Sequence, residues 1–376
     1  MAQIPLIDYD FDREYYGAVQ VGEPPQTFKI DFDTGSSKFI LSSKACKDCS
    51  GSTRFDPAAS HTFRLNNEYE NELGNKNSSS TFTSDPNTWH ITYGDMSHAE
   101  GILGRDHVTI ANLTVRHQQI ALILSESANF DDVVDGIMGL SFGTLSSPSS
   151  HPQTLFENMM DQGLVKHGVF SFYLGKNYPN GTSDPIDSGS DYTGGGEVIF
   201  GGVDTSRVRE GFEIVYTPVT KPKYWQINIE NIFVAGQRKQ SNIVGIMDTG
   251  TTLMIVPERL AFAVHQLIPG AVQISGQSWT IPCDLTSTTR IELEIEGHRF
   301  AIPFSDLVRE AVRLDGQMAS GIDKGNGPNF MIIGDLFIKN NYVVFDQANQ
   351  RVGIAPLKFP SLTKHSSSSK NSSYSA

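Results

Sequence analysis

Apolar and polar residues alternate with a period of two along much of the chain, which is the pattern of β-strands that bury one face. Residues 15–42 show this alternation on both sides of a turn that contains Pro24 and Pro25, so they predict a hairpin followed by a third strand. Residues 89–110, which read WHITYGDMSHAEGILGRDHVTI, alternate again around a Tyr-Gly-Asp turn. They predict a second hairpin with an exposed tip.

Short helices are predicted at residues 151–163 and 257–268, where apolar residues recur at helical spacing. In the second helix, Pro257 suits the first helical position. The apolar face predicted for this helix consists of Leu260, Ala261, Val264, Leu267 and Ile268.

Three polar segments interrupt the alternation. Residues 66–88 are rich in Asn and Ser and predict an exposed loop insertion, while residues 177–196 have the Gly, Ser and Asp content of a linker. From residue 361 the chain has almost no apolar content, so this tail is expected to be disordered.

Composition then favours a mainly β protein of two lobes. The chain has 376 residues, 38% of them hydrophobic, and it contains 34 glycines and 18 prolines. That length exceeds one ordinary core, and the turn-forming residues fit many short strands. We expect an N-terminal lobe over residues 1–190, a C-terminal lobe over 191–360 and the tail over 361–376.

Charge and hydropathy exclude several classes of partner. The formal net charge is −13 without a dense Lys/Arg cluster, which argues against nucleic acid. No apolar run approaches the ~18 residues of a transmembrane helix, and the first residues lack the features of a signal peptide. Glycosylation triplets weakly favour secretion, with a vacuolar location as the alternative. These triplets begin at Asn77, Asn112, Asn180 and Asn371.

The three cysteines offer one close pair, Cys46 and Cys49 in CKDC, and leave Cys283 over. Such a pair could be half of a zinc site or a redox motif, but no second ligand pair and no βαβ context accompany it. A structural disulfide in an oxidising compartment is the best interpretation.

Two further motifs suggest a chemical role only weakly. The glycine-rich residues 194–202 precede a β-like run rather than a helix, so a loop that enters a strand is a better interpretation than a phosphate site. Residues 139–143, GLSFG, match a serine-hydrolase elbow, but no helix pattern follows Ser141. A nucleophilic role for Ser141 is therefore disfavoured.

The strongest motif is a repeated acidic turn. FDTGSS occupies residues 32–37 and MDTGTT occupies residues 247–252, each after an apolar run. A single Asp-Thr-Gly is usually an ordinary turn, but two copies in two similar halves can bring two carboxylates together at an interface. Because like charges so close resist joint ionisation, the pair would share one proton and supply an acid and a base.

At this point the sequence resembles the pepsin-like aspartic proteases, most closely their secreted fungal members. The resemblance covers nearly the whole chain and includes FDTGSS, YGD, DGIMGL, YWQINI, MDTGTT and IIGDLF. It implies a bilobal double β-barrel with a central cleft, and the shared proton is the standard account of this family's dyad. Asp33 and Asp248 would be the catalytic pair, and Asp135 and Asp335 would be structural.

The resemblance also implies how the two loops are held. Thr34 and Thr249 would exchange hydrogen bonds across the lobes. Gly35 and Gly250 would offer N–H groups to the carboxylates, and the hydroxyls of the next residues would bond the outer oxygens. The supporting residues are thus Thr34, Gly35, Ser36, Thr249, Gly250 and Thr251.

On the same resemblance, Tyr93, Gly94 and Asp95 would form the tip of a flap that closes over an extended peptide. Many relatives have a Trp that bonds the flap tyrosine where this chain has Ile40, so the flap is expected to be looser or differently anchored. The usual partner of Cys283 is missing, which predicts a free, buried thiol. We expect a monomer without cofactor or metal, as the mature part of a zymogen.

The resulting prediction is an endopeptidase that works at acid pH by water activation. It would prefer apolar or aromatic residues just before the cut, and also Lys because of Asp95 and Asp31. Two alternatives are an inactive binding protein of the same fold and a glycosidase with two carboxylates. Both DTG turns are intact, which disfavours the inactive binding protein. A glycosidase would not explain the duplicated hydroxyl-rich turns.

Overall fold

Most of the chain has a defined placement in this computed structural model. The structure describes residues 1–9, 12–49, 51–68, 87–94, 96–127, 133–146, 153–176, 195–274, 276–285, 287–311, 316–325 and 327–358. Strands dominate these residues, and the fold is the bilobal, mainly β fold predicted from the sequence.

The strands and helices are numbered in chain order. The strands of the first half are β1 (Ala2–Tyr9), β2 (Glu14–Val21), β3 (Gln26–Asp33), β4 (Phe39–Ser42), β5 (Arg64–Leu65), β6 (Thr88–Thr92), β7 (His98–Ile110), β8 (Leu113–Glu126), β9 (Gly136–Gly139) and β10 (Val169–Leu174). Those of the second half are β11 (Gly196–Phe200), β12 (Val215–Pro218), β13 (Lys221–Pro222), β14 (Trp225–Val234), β15 (Gln237–Met247), β16 (Met254–Pro257), β17 (Val272–Gln273), β18 (Trp279–Pro282), β19 (Arg290–Ile295), β20 (His298–Pro303), β21 (Val308–Ala311), β22 (Gln317–Ser320), β23 (Ile322–Gly325), β24 (Phe330–Ile333), β25 (Asn341–Asp346) and β26 (Arg351–Pro356). The α-helices are α1 (Leu155–Asp161), α2 (Glu258–His265) and α3 (Asp335–Ile338), and 3-10 turns cover Pro57–Ala59, Gly143–Leu145, Thr205–Arg207 and Phe304–Leu307.

The two halves repeat one arrangement of strands. In the first half, β2 and β3 form an antiparallel hairpin, β3 pairs in parallel with β9, and β9 pairs antiparallel with β4. In the second half, β14 and β15 form the hairpin, β15 pairs in parallel with β24, and β24 pairs antiparallel with β16. The strand that precedes each DTG turn therefore has the same neighbours in both halves.

A central sheet joins the halves. Its strand order begins β12, β26, β25, β10, β11 and β1 and continues into β2 and β3, so strands from both ends of the chain belong to one sheet. Aromatic residues pack at this junction: the rings of Phe170 and Phe345 stack with centroids 4.9 Å apart, and Trp225 donates its ring N–H to the carbonyl of Leu140 at 2.9 Å. The lobe boundary near residue 190 stays a prediction, because residues 177–194 are not among those described.

Several local predictions are confirmed. The hairpin and third strand of residues 15–42 are β2, β3 and β4, and the second hairpin is β6 and β7. Helix α1 begins after Thr154, whose side chain and that of Glu157 form a reciprocal capping box. The glycine-rich residues 194–202 lead into β11, as the loop interpretation requires.

The second predicted helix is shorter than expected. Pro257 is the cap of α2 rather than its first helical residue, and the helix ends at His265. Leu260, Ala261 and Val264 are buried as predicted, whereas Leu267 is 47% exposed. The face prediction was wrong at Leu267 because the helix has already ended, so helical spacing no longer sets its direction.

The cysteines gave one confirmed pair and one error. Cys46 and Cys49 are joined in a disulfide, and both are buried beside Ile40 and Trp89. Cys283 is free, as predicted, but it is exposed rather than buried. It follows β18 in a turn, where the buried alternation that places Ile281 in the core has ended.

Some predictions lie outside the described residues. They include most of the loop insertion, at 69–86, most of the linker, at 177–194, and the tail from 361. The same holds for Asn77, Asn180, Asn371 and Asp95, while Asn112 lies exposed in the turn between β7 and β8. Within the described ranges, no helix is long and apolar enough to cross a bilayer.

Candidate active site

Asp33 and Asp248 meet where the two halves face each other. Asp33 is the last residue of β3, and Asp248 directly follows β15. The alternation that buries Ile30 and Phe32 ends at these turns, and the carboxylates are only 6% and 9% exposed. The two carboxyl groups lie within hydrogen-bonding reach of each other. The structure thus brings together the two aspartates singled out by the repeated motif.

The glycines of both turns have two roles. The N–H of Gly35 donates to Asp33 Oδ1 at 2.7 Å, and the N–H of Gly250 donates to Asp248 Oδ1 at 3.1 Å. A Cβ added at Gly35 would lie 2.5 Å from Asp248 Oδ1, and one added at Gly250 would lie 2.4 Å from Asp33 Oδ1. Each glycine therefore allows the opposite carboxylate to approach closely.

Thr34 and Thr249 lock the two turns together. The N–H of Thr34 donates to Thr249 Oγ1 and the N–H of Thr249 donates to Thr34 Oγ1, both at 3.0 Å. Each hydroxyl also donates to a carbonyl of the opposite half, that of Met247 for Thr34 and that of Phe32 for Thr249. Because these groups are buried, the bonds fix the spacing of the carboxylates.

The hydroxyls of Ser36 and Thr251 do not behave alike. Thr251 Oγ1 donates to Asp248 Oδ2 at 2.9 Å, as expected. The hydroxyl of Ser36 is buried and has no hydrogen-bond partner among the described residues, so the matching expectation for Ser36 was wrong. The backbones differ: Thr251 N–H donates to the Asp248 carbonyl, whereas the Asp33 carbonyl accepts from Leu140. The two turns therefore direct their hydroxyls differently.

The electrostatics of the pair favour one retained proton. Burial, followed by the charge of Asp33, raises the pKa of Asp248 to about 8, although bonds from Thr251 and Gly250 oppose the shift. A carboxylate that is removed from water and faces a second carboxylate holds its proton more tightly. The pair can therefore present one acid and one base at the same place.

Asp135 supports the first turn from behind, as predicted. Its carboxylate accepts from the N–H groups of Lys29 and Thr53 at 2.9 and 2.7 Å, and from the hydroxyl of Ser52 at 3.3 Å. Asp135 directly precedes β9, the parallel neighbour of β3. This buried carboxylate consequently ties the strand that bears Asp33 to the next loop.

Asp335 supports the second turn from the other end of the paired strand: it follows Gly334 after β24, whereas Asp135 precedes β9. Its N–H donates to the carbonyl of Thr251 at 2.8 Å. A Cβ at the preceding Gly334 would lie 1.8 Å from that carbonyl oxygen, so the close approach requires glycine. Burial, followed by the charge of Asp248, raises the pKa of Asp335 well above its ordinary value. Sequence reasoning found its supporting role but not this electrostatic link.

The predicted flap lines the cleft. Tyr93 N–H donates to the carbonyl of Ser97 at 2.8 Å, and Met96 N–H donates to that of Tyr93 at 3.1 Å, which closes the hairpin tip. Tyr93 packs against a buried cluster that contains Ile40 and Trp89. Ile40 therefore contributes apolar packing near the flap tyrosine, and the looser or different anchoring of the flap stays a prediction.

The cleft has a volume of about 1130 Å³. Besides the two DTG turns, Tyr93 and Gly94, it is lined by the charged residues Asp31, Lys38, Lys221 and Arg309. Tyr224 and Phe330 also line it. Sequence reasoning missed Lys38, because a lone lysine three residues after Gly35 has no local pattern that marks it as part of a cleft wall.

The weak motifs are not part of this site. Ser141 is fully buried, and its hydroxyl donates to the carbonyl of Lys223 at 2.5 Å, so it is a packing residue rather than a nucleophile. No group of three or more His, Cys, Asp or Glu side chains suited to a metal occurs in the described ranges.

Two facing DTG turns in a cleft between repeated β halves define the class of pepsin-like aspartic proteases. The family model for eukaryotic aspartyl proteases matches residues 14–74 and 69–357. The chain belongs to this family and is an aspartic endopeptidase.

Curated relatives agree with this assignment. The chain is 36% identical over 357 residues to rhizopuspepsin of Rhizopus chinensis, which covers 94% of this chain and 81% of that protein. It is 37% identical over 358 residues to rhizopuspepsin-2 of Rhizopus niveus, with the same two coverages. It is 33% identical over 365 residues to pepsin A of Gallus gallus, covering 94% of this chain and 86% of the relative.

Proposed function

We propose that Asp33 and Asp248 are the catalytic pair of this endopeptidase and that it hydrolyses extended polypeptides at acid pH. One observation carries the proposal: two buried carboxyl groups lie within hydrogen-bonding reach in a large cleft, each held by the N–H of its own DTG glycine. Glycosidases also use two carboxylates, but their mechanism does not require paired threonine hydroxyls and glycine N–H groups that hold the carboxylates.

The mechanism uses the two protonation states of the pair. The ionised carboxylate takes a proton from a water molecule, and the resulting hydroxide attacks the scissile carbonyl carbon. The carboxyl group that retains the proton of the pair donates it to the carbonyl oxygen. Collapse of the tetrahedral intermediate releases the amine after it accepts a proton. The reaction needs no covalent intermediate.

Thr34, Gly35, Thr249, Gly250 and Thr251 act as positioning residues in this proposal. Their bonds hold the carboxylates before substrate arrives, which reduces the reorganisation needed during the reaction. Ser36 lies beside the pair, and we propose that its unused hydroxyl bonds Asp33 or the substrate only in the complex.

The flap and the cleft would select the substrate. Tyr93 and Gly94 would close over an extended peptide, whose backbone pairs with the flap and the strand edges. We propose that an apolar or aromatic residue precedes the cut. Lys is also accepted there, because Asp31 lines the cleft and Asp95 follows the flap glycine in sequence. Peptide and protein chains are the partners, and the enzyme acts as a secreted monomer.

Two experiments test the proposal. Haemoglobin should be hydrolysed between about pH 3 and 5, and a statine-type inhibitor should abolish this activity. Asp33→Asn and Asp248→Asn should each retain less than about a hundredth of wild-type kcat, a small part of the ~10⁶-fold or greater acceleration typical of enzymes. A folded wild type that binds peptides without cleaving them would instead support the inactive binding protein, and a substantially active Asn variant would refute the assigned pair.

A further inference from the structure

Lys38 is a cation in the wall of the cleft, and no carboxylate within the described ranges forms an ion pair with it. It lies between the first DTG turn and β4, and its side chain is half-buried. Burial lowers its pKa, and no carboxylate among the described residues offsets this effect. Lys38 also lines a small second cavity with Gln118, Gln119 and Gln153, which are polar but uncharged. A half-buried ammonium in such surroundings has lost hydration that an anion could replace.

A second lysine, Lys221, also lines the cleft. Ser37, next to Lys38, shares a 2.5 Å hydrogen bond between its hydroxyl and that of Ser146. The hydroxyl of Thr144 then donates to the carbonyl of Pro222 at 2.6 Å, and Lys221 precedes that proline. Direct bonds thus connect the segments that carry both lysines, and both lysines line the cleft.

The two lysines of the cleft wall contrast with the charge of the whole molecule. The whole chain has a formal net charge of −13. The carboxylates that line the cleft are Asp31 and Asp33 in β3 and Asp248 in the second DTG turn. A substrate bound in the cleft therefore meets the ammonium groups of Lys38 and Lys221 as well as these carboxylates.

We propose that Lys38, assisted by Lys221, forms a subsite that binds an acidic side chain of the peptide substrate. The subsite selects Asp or Glu at one position on one side of the scissile bond. This inference rests on the proposed function, because it assigns specificity to the same cleft. The ligand is a substrate carboxylate, and Leu145 and Tyr224 supply the neighbouring apolar wall.

The pH dependence of this preference is its signature. A Glu side chain has a pKa of about 4.3 in peptides, so it is mostly neutral at about pH 3 and mostly ionised at about pH 5.5. Lys38 remains cationic throughout that range. The ratio of kcat/KM for Glu to that for the isosteric Gln should consequently rise from about twofold at about pH 3 to about tenfold at about pH 5.5. A tenfold ratio is what a partly screened charge-assisted hydrogen bond contributes. A packing role for Lys38 would not follow the ionisation of the substrate.

The test uses matched peptides that differ only by Glu or Gln at each position around one cleaved bond. The ratio of kcat/KM for Glu to that for Gln is measured at both pH values for wild type, Lys38→Met, Lys38→Arg, Lys221→Met and Lys239→Met. Lys239 is an exposed lysine in β15 outside the cleft and serves as the matched control.

We expect a rising ratio at one position in wild type and in Lys239→Met. Lys38→Met should bring it near one, Lys221→Met should reduce it, and Lys38→Arg should restore most of it. A ratio of about one at every position in wild type, or an unchanged ratio in Lys38→Met, would overturn the subsite. If Lys38→Met fails to fold, the pH dependence of the Glu-to-Gln ratio in wild type and in Lys38→Arg still tests the subsite: a ratio of about one in both would overturn it. The absence of any inhibitor-sensitive cleavage would instead refute the proposed function.

Discussion

Thr34 and Thr249 donate their backbone N–H groups to each other's hydroxyl oxygens at 3.0 Å, across the junction of the two halves. The Thr34 hydroxyl also donates to the Met247 carbonyl, directly before Asp248. Through these bonds, each threonine holds the opposite aspartate loop. The spacing of the two carboxylates is thus set by buried backbone geometry rather than by the aspartates themselves.

Replacing Thr34 with Val should separate the two loops without changing side-chain volume much. The substitution leaves the N–H of Thr249 and the carbonyl of Met247 without their buried partners, which costs about 1–3 kcal/mol per orphaned group. We expect a lower free energy of unfolding and a fall in kcat of at least about tenfold, because small misplacements of reacting groups are costly.

Urea unfolding and peptide kinetics measure both effects. Thr27→Val is the matched control, since Thr27 is an exposed residue of the same strand, β3. Wild-type kcat in Thr34→Val would contradict the positioning role of these bonds.

The motif and the strands could be predicted from sequence because their signals are local. Alternation around β2 and β3 defines the hairpin, and Asp, Thr and Gly in Asp33–Gly35 define the turn at its end. The different bonding of Ser36 and Thr251 could not be predicted. It depends on which N–H donates to the carbonyl of the preceding aspartate: that of Leu140 for Asp33, and that of Thr251 in the turn itself for Asp248. Local sequence contains no record of such long-range pairing.

The ion pairs of the core show the same limit. Lys339 Nζ lies 2.6 Å from Asp12 Oδ2, and both side chains are buried. Nothing in either local sequence indicates this contact, because it joins opposite ends of the chain. The proximity of Asp335 to Asp248 likewise arises only after β24 pairs in parallel with β15.

Stability should decrease as the pH rises from acid towards neutral. Burial raises the pKa of Asp8 to about 9, with the charge of Asp12 as the next cause, and Asp248 and Asp335 are also raised. The folded state therefore retains protons that the unfolded chain releases above about pH 4. Each retained proton lowers the free energy of unfolding by about 1.4 kcal/mol per pH unit until the folded-state pKa is reached.

Thermal unfolding at about pH 4, 6 and 8 measures this effect. The contribution is full below the unfolded pKa of these aspartates, near 3.9, and is lost through about pH 8–9. Asp306 acts in the opposite sense, since its neighbour Lys176 lowers its pKa despite burial, so stability should also fall in strong acid. Asp248→Asn should flatten the decline between about pH 4 and 8. A Tm that is constant or rises over this range would disprove the prediction.

Breaking the buried pair of Lys339 and Asp12 should be strongly destabilising. Lys339→Met leaves Asp12 buried without its cation, beside Asp8, whose carboxylate accepts the N–H of Asp12 at 2.8 Å. Loss of one partner of a buried pair typically costs about 3–5 kcal/mol. The double variant Lys339→Met/Asp12→Leu should recover much of this loss, because no lone charge remains.

Urea unfolding of the single and double variants tests this expectation. Lys324→Met is the control, since Lys324 pairs with Glu258 at 2.7 Å on the surface and should contribute less than about 1 kcal/mol. Equal effects of Lys339→Met and Lys324→Met would show that burial does not strengthen the first pair.

The proposed acceptance of Lys before the cut depends on Asp95 and Asp31. Asp31 lines the cleft and lies two residues before Asp33, and side chains two apart along a strand share a face. A partly desolvated pair between a substrate ammonium and Asp95 should contribute about tenfold to a hundredfold in kcat/KM. Asp95→Thr removes the charge but keeps a side chain that can bond within the turn.

Matched peptides with Lys or Leu before the cut measure this contribution in wild type and Asp95→Thr. We expect the Lys-to-Leu ratio of kcat/KM to fall by at least about tenfold in the variant while the Leu peptide is cleaved nearly as before. Asp48→Thr is the control, because Asp48 is exposed in the disulfide loop and is not a lining residue of the cleft. An unchanged ratio in Asp95→Thr would make Asp95 a turn residue only, since a carboxylate that contacts the substrate cannot be removed without affecting a cationic side chain more than an apolar one.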